Sequence, residues 1–119
     1  MTYFPQVNGT LTLGENISDN GGLRIAYNAY REWVKEHGAE PRLPGLQEYT
    51  PWQMFWLSNA NVWCAKNHMK FDEEAIKKDD HSPFLFRING PFSNMKDFSD
   101  DFRCPLGSNM NPVKKCLLW

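Results

Sequence analysis

The chain has 119 residues, 41% of them apolar and 14% aromatic, enough for one domain with a core and too aromatic for a disordered tail. Its formal charge of −1 gives no electrostatic case for nucleic acid or an anionic membrane surface. No stretch approaches the roughly 18–20 apolar residues of a membrane span, and the opening MTYFPQVNGT lacks the basic and apolar regions of a secretory leader.

Thr12 followed by Glu15 has the pattern of a capping box, and Leu23, Ala26, Tyr27, Tyr30, Trp33 and Val34 recur at helical spacing. Lys35 and His37 suit the negative end of a helix and Gly38 its stop, so the spacing predicts a helix over 12–37. Residues 38–49, rich in Pro and Gly, read as a loop. Thr50, Pro51 and Gln53 then cap a second helix over 51–66, apolar on more than one face and therefore largely buried. Trp33, Phe55, Trp56 and Trp63 are expected to be mostly buried in the core that these two helices form. A short helix is expected from Asp72 to Lys78, broken before Pro83. FLFRI reads as extended, Asn89-Gly90-Pro91 as a turn, residues 94–102 as a short helix, and the tail CPLGSNMNPVKKCLLW as irregular. The fold class is mainly α, in one domain without repeats or linkers.

Glu15 and Asp19 stand at i and i+4 and are followed by Gly21 and Gly22. In one reading Glu15 completes a capping box and Asp19 is a first-turn acid, both favoured by the helix dipole. In the other, both acids share a face near a cation that cancels their repulsion. The glycine pair costs on the order of 1–2 kcal/mol in a helix, which a closely packed neighbouring backbone would justify. His37, His68 and His81 have no metal-ligand spacing, and the chain contains no H-E-x-x-H. His37 and His68 read as surface residues, and His81 as a loop residue six positions before Arg87. Ser82 beside His81 does not suggest a triad. On pattern alone Val62 and Trp63 are ordinary core.

Cys64, Cys104 and Cys116 are odd in number and too scattered for a zinc finger. They suit buried thiols in a reducing compartment, or a secreted protein with partners elsewhere. Two sequons, Asn8-Gly9-Thr10 and Asn16-Ile17-Ser18, lean weakly toward secretion.

TLGENISDNGGLRIAYNAY, EPRLPGL, VWC, HSP before FRING, MNPVKKC and the terminal Trp119 occur in one order and spacing. With these motifs the chain resembles the C-terminal part of the neprilysin and endothelin-converting-enzyme family of zinc metallopeptidases, from about residue 8 to Trp119. Ser18 departs from the alanine usual in that family and creates the Asn16 sequon, which is expected to go unused because the site would be enclosed. The resemblance implies a partial catalytic domain over 1–119, a C-terminal piece of a mainly helical catalytic lobe. It makes Glu15 the third protein ligand of a catalytic zinc and Asp19 the acid that supports a zinc-binding histidine. It makes His81 an oxyanion stabiliser, Arg87 a donor to a substrate carbonyl, and Val62 and Trp63 walls of the pocket for a large apolar side chain after the scissile bond. The remaining zinc ligands and the general base belong to an H-E-x-x-H helix that the chain lacks.

The expected function is therefore that of a fragment of a zinc endopeptidase of oligopeptides, inactive alone. Its partners are peptide substrates and the missing upstream part of the same polypeptide. Nucleic acid is not among them, and a membrane enters only through an absent N-terminal anchor. The parent is expected outside the cell or on its surface. Each cysteine matches a family cysteine whose disulfide partner lies upstream, so no two of the three are expected to pair. The alternative is a non-catalytic helical module that binds peptides or a larger lobe.

Overall fold

The computed structural model describes residues 6–66 and 76–118. Helix α1 spans Leu13–His37, α2 spans Pro51–Val62, α3 spans Phe84–Asn94 and α4 spans Lys96–Asp101. No strand occurs among the described residues. Helix α3 packs against α1 and α4, and α2 packs against α4. Residues 76–78 are helical, while the rest of the segment expected to form a helix from Asp72, together with His68 and Trp119, lies outside the described residues.

The predicted start of α1 is right, but its cap is not the expected box. The Thr12 hydroxyl donates to the Asn8 carbonyl at 3.2 Å and accepts from Asn16 Nδ2 at 3.0 Å, with no bond from its side chain to the helix's free N–H groups. Glu15 is thereby released from a capping role. The helix stops where Gly38 takes φ +84°, a left-handed value that residues with a Cβ rarely adopt. In α2 the box is complete: Thr50 Oγ1 accepts from the Gln53 N–H at 3.2 Å, and Gln53 Oε1 accepts from the Thr50 N–H at 2.9 Å. This helix ends at Val62 rather than at 66.

The segment expected to be extended and then to turn is instead the single helix α3, with Pro91 inside it. Proline at that position removes the hydrogen bond to the Arg87 carbonyl and costs about 3 kcal/mol in an isolated helix. The compensation is tertiary. Ile88, Phe92 and Met95 recur at helical spacing and pack into the core, and Pro91 itself is buried.

Trp56, fully buried, is the centre of that core. Its ring lies 4.7 Å from Tyr27, 5.2 Å from Phe92 and 5.4 Å from Phe98, centroid to centroid. One carboxylate oxygen satisfies both polar edges of this cluster. Asp101 Oδ2 accepts from Trp56 Nε1 at 2.7 Å and from the Tyr27 hydroxyl at 2.8 Å. Desolvation first, then the bond to Asp101, holds the Tyr27 hydroxyl well above the usual tyrosine range. Of the expected core aromatics, Phe55 and Trp63 are half-buried, but Trp33 is 42% exposed. Trp33 lies near the C-terminal end of α1 and stacks on Tyr30 and His37 instead. The irregular tail is fastened back onto the helices: the Cys116 N–H donates to Asn94 Oδ1 at 3.0 Å, and Arg24 Nη1 donates to the Leu118 carbonyl at 3.1 Å.

Candidate functional site

The first turns of α1, the loop before α3 and the start of α3 converge on one face. Glu15, in the first turn of α1, places Oε2 3.3 Å from Nε2 of His81. The loop that carries His81 is tied to α1 by the buried Ser82, whose hydroxyl donates to Asn16 Oδ1 at 2.7 Å. His81 is gripped from its other side as well. Its backbone N–H donates to Asp79 Oδ1 at 2.9 Å, and ring Nδ1 lies 2.9 Å from that oxygen and 2.9 Å from Asp80 Oδ1.

The Asp79 hydrogen bond is the main cause that raises the His81 pKa, with Asp80 and Glu15 adding to it; desolvation and Arg87 oppose. In the same pairing, the His81 backbone bond lowers the Asp79 carboxyl. An NMR titration of the chain should therefore place the His81 midpoint above the ordinary histidine value, and Asp79→Asn should bring it down. A raised folded-state pKa means that the stabilisation is complete below the unfolded value and is lost as pH rises through the folded one. A midpoint unchanged by Asp79→Asn would contradict this geometry.

Asp19, one turn beyond Glu15, holds Arg87 in a two-pronged pair. Arg87 Nε donates to Asp19 Oδ2 and Nη2 donates to Oδ1, both at 2.7 Å. The two side chains are only 14% and 12% exposed. The guanidinium carbon also lies 4.2 Å from the centroid of the Trp63 ring, so the ion pair and a cation–π contact fix the same plane. Asp19 first, then other acids, raises the Arg87 pKa further, so it is charged at any working pH.

Beside this pair lies a cavity of about 230 Å³ lined by Ser18, Asp19, Gly22, Trp63 and Arg87. It adjoins a groove of about 610 Å³, to which Val62, Tyr30, Met54 and Phe55 contribute, and both share Ala26 and Asn59. Gly21 is buried, but Gly22 has open space where a Cβ would stand, so the close backbone approach expected at the glycine pair does not occur at Gly22.

Five of the six residues singled out from the sequence thus share one connected site: Glu15, Asp19, Trp63, His81 and Arg87. Val62 stands apart on the adjoining groove and is 77% exposed, not core. The parts missed in the sequence are Asp79 and Asp80 as holders of His81 and the Asn16–Ser82 tie. The Asp79 and Asp80 carboxylates lie within two residues of His81, a local signal that could have been read. The Asp19–Arg87 pair, 68 residues apart, left none. Asp79, Asp80 and His81 bring ligand atoms within 4.8 Å of one another, but all are exposed and their hydrogen bonds account for the gathering. Glu15 is a different donor: a half-exposed carboxylate at the rim whose described ion pair is with His81 alone.

A model of peptidase family M13 matches residues 1–118. Neprilysin-2 of Drosophila melanogaster is 53% identical over 95% of this chain and 14% of its own length. Endothelin-converting enzyme 1 of Rattus norvegicus is 54% identical over 95% of this chain and 15% of its own. A solved structure, the Haemonchus galactose containing glycoprotein complex, superposes with a TM-score of 0.86 at 44% identity, covering 90% of this chain and 18% of that one. The chain thus spans less than a fifth of the length of each of these proteins. The chain that sets a carboxylate of the first turn of α1 against a loop histidine, and locks an arginine on the acid one turn on, is a member of peptidase family M13.

Proposed function

We propose that these residues form the C-terminal part of the active site of a zinc-dependent, neprilysin-like endopeptidase. The observation that carries this reading is the Glu15–His81 pair at 3.3 Å beside an arginine already immobilised by Asp19. Glu15 fits zinc: it is a carboxylate oxygen donor at the site rim, free of a capping role, and among the described residues its ion pair is with His81 alone. It would hold zinc together with two histidines of an H-E-x-x-H helix from outside these residues. When bound, the ion supplies Lewis acidity and lowers the pKa of its water.

The remaining steps belong to the chain's own side chains. Asp19 uses one lone pair on each oxygen for Arg87 and keeps others to accept an N–H from a ligating histidine, fixing its tautomer. Arg87 has Nε and Nη2 engaged, which among the described residues leaves Nη1 to donate to a peptide carbonyl without further cost of ordering the side chain. His81, whose pKa the neighbouring acids raise, donates a ring N–H to the oxygen on which negative charge develops. Trp63 and Val62 offer an apolar wall to the side chain after the scissile bond.

Cys64, Cys104 and Cys116 are free thiols, two exposed and one half-buried, and are assigned disulfide partners in the rest of the polypeptide. That assignment, and the glycoprotein named in the structural neighbour, support an extracellular protein. No helix among the described residues is long and apolar enough to cross a membrane.

The test compares the chain alone with the complete polypeptide by zinc titration and by cleavage of a quenched peptide. The chain alone should do neither, since one carboxylate falls short of a catalytic ligand set. In the complete protein Glu15→Gln should weaken zinc binding. His81→Ala should leave zinc in place and lower kcat by about 10²–10³. Full metal affinity in Glu15→Gln, or zinc-dependent cleavage by the 119 residues alone, would overturn the assignment.

A further inference from the structure

The two sequons of the chain meet opposite fates in the fold. Asn8, Gly9 and Thr10 are exposed and precede the first helix. Among the described residues the Asn8 carboxamide uses only its oxygen, which accepts from the backbone N–H groups of Thr10 at 3.1 Å and Leu11 at 3.3 Å. Among the described residues nothing bonds its Nδ2, and nothing stands within 4 Å of where a Cβ on Gly9 would lie. Asn16 is the reverse. It is half-buried inside α1, its Nδ2 donates to Thr12 Oγ1 at 3.0 Å, and its Oδ1 accepts from Ser82 at 2.7 Å. The Ser18 hydroxyl of that sequon is turned onto the Gly14 carbonyl at 3.0 Å. A glycan on Asn16 would break the tie that positions His81, whereas one on Asn8 displaces no contact of its nitrogen.

We propose that Asn8 is an N-glycosylation site and that Asn16 stays bare in the folded protein. The donor class is an oligosaccharide activated as a polyprenyl diphosphate. Asn8 Nδ2 forms a bond to the anomeric carbon of the first sugar and loses one proton. The bond from that carbon to the phosphate oxygen breaks, and the diphosphate leaves with the electron pair. The inference rests on the extracellular reading, because only a chain delivered to the secretory lumen meets that donor.

The experiment places the full chain behind a cleavable secretory leader in insect cells, so that entry to the lumen does not depend on that reading. Secreted protein is deglycosylated by an amidase in water enriched in oxygen-18, and the peptides are mapped by mass. The label marks enzymatic conversion of Asn to Asp and separates it from spontaneous deamidation at Asn8-Gly9. The expected result is a labelled aspartate at position 8, lost in Asn8→Gln and in Thr10→Ala, and kept in Ser18→Ala. A luminal chain without glycan on Asn8, or a secreted chain with glycan on Asn16, overturns the inference. An occupied Asn8 here beside an unglycosylated native protein would count against the extracellular reading alone.

Discussion

Trp56→Ala should lower the stability of the chain by about 3–5 kcal/mol, as truncation of a fully buried tryptophan usually does. A domain of this size holds only about 5–15 kcal/mol in total, so the variant would lose a large share of its stability. Two losses combine. The rings of Tyr27, Phe92 and Phe98 lose their common neighbour, and Asp101 loses the indole donor at 2.7 Å. Trp56→Phe separates them. It keeps an aromatic ring but removes the N–H, while the Tyr27 hydroxyl still serves the same oxygen. Its cost should be smaller, with about 1–2 kcal/mol of it from the hydrogen bond to a charged acceptor. Trp33→Ala is the internal control, because Trp33 is 42% exposed and stacks only near the end of α1. Urea unfolding followed by circular dichroism gives the order. A Trp56→Ala midpoint no lower than that of Trp33→Ala would mean that the core lies elsewhere.

The same two tryptophans show which parts of the fold are legible in a sequence. Both fall on helical spacing, and that spacing locates α1 and α2 to within a few residues. It does not say which stretch of a long helix has anything to pack against. Helix α1 runs on to His37, and Trp33 near its end follows the rule yet stays 42% exposed, covered by Tyr30 and His37 rather than by the core. Capping was legible where the local chemistry had no competitor, as at Thr50 and Gln53. At Thr12 the side chain instead joins Asn8 and Asn16, a choice that depends on the loop before the helix and on Ser82 far along the chain. Helix α3 stands where an extended segment and a turn are expected, for a related reason. Gly90 and Pro91 are turn residues by propensity, and only the burial of Ile88, Phe92 and Met95 against Trp56 overrides them.

The site divides along the same line. Glu15, Asp19, His81 and Arg87 are singled out by a resemblance carried by motifs, which implies a separate role for each. Their physical coupling, Glu15 to His81 and Asp19 to Arg87, is a property of how α1 meets α3 and is not written in any spacing.

Breaking that second pair should reveal how much of it is coupling. Asp19→Ala leaves an arginine, 12% exposed, without its bonded carboxylate and with Glu15 and Asp79 only as more distant acids, and should cost about 3 kcal/mol; Arg87→Ala strands the acid in turn and should cost a comparable amount. The double variant Asp19→Ala/Arg87→Ala has no stranded charge. It should be more stable than the sum of the singles predicts, with an interaction energy of roughly 2–3 kcal/mol. Arg87→Lys should recover little, because an ammonium cannot fill both carboxylate oxygens or lie flat over the Trp63 ring at 4.2 Å. The cycle is read by urea unfolding of the four chains. Additive singles would show the pair to be a surface ion pair of the kind worth under about 1 kcal/mol, in spite of its two bonds. A large interaction energy would mean that Asp19 holds Arg87 in place before any peptide arrives. In the complete protein Asp19→Ala should then raise KM for peptides through a loosened Arg87 as well as disturb metal binding. Arg87→Ala should raise KM and leave metal affinity nearly unchanged, and that contrast separates the two duties proposed for Asp19.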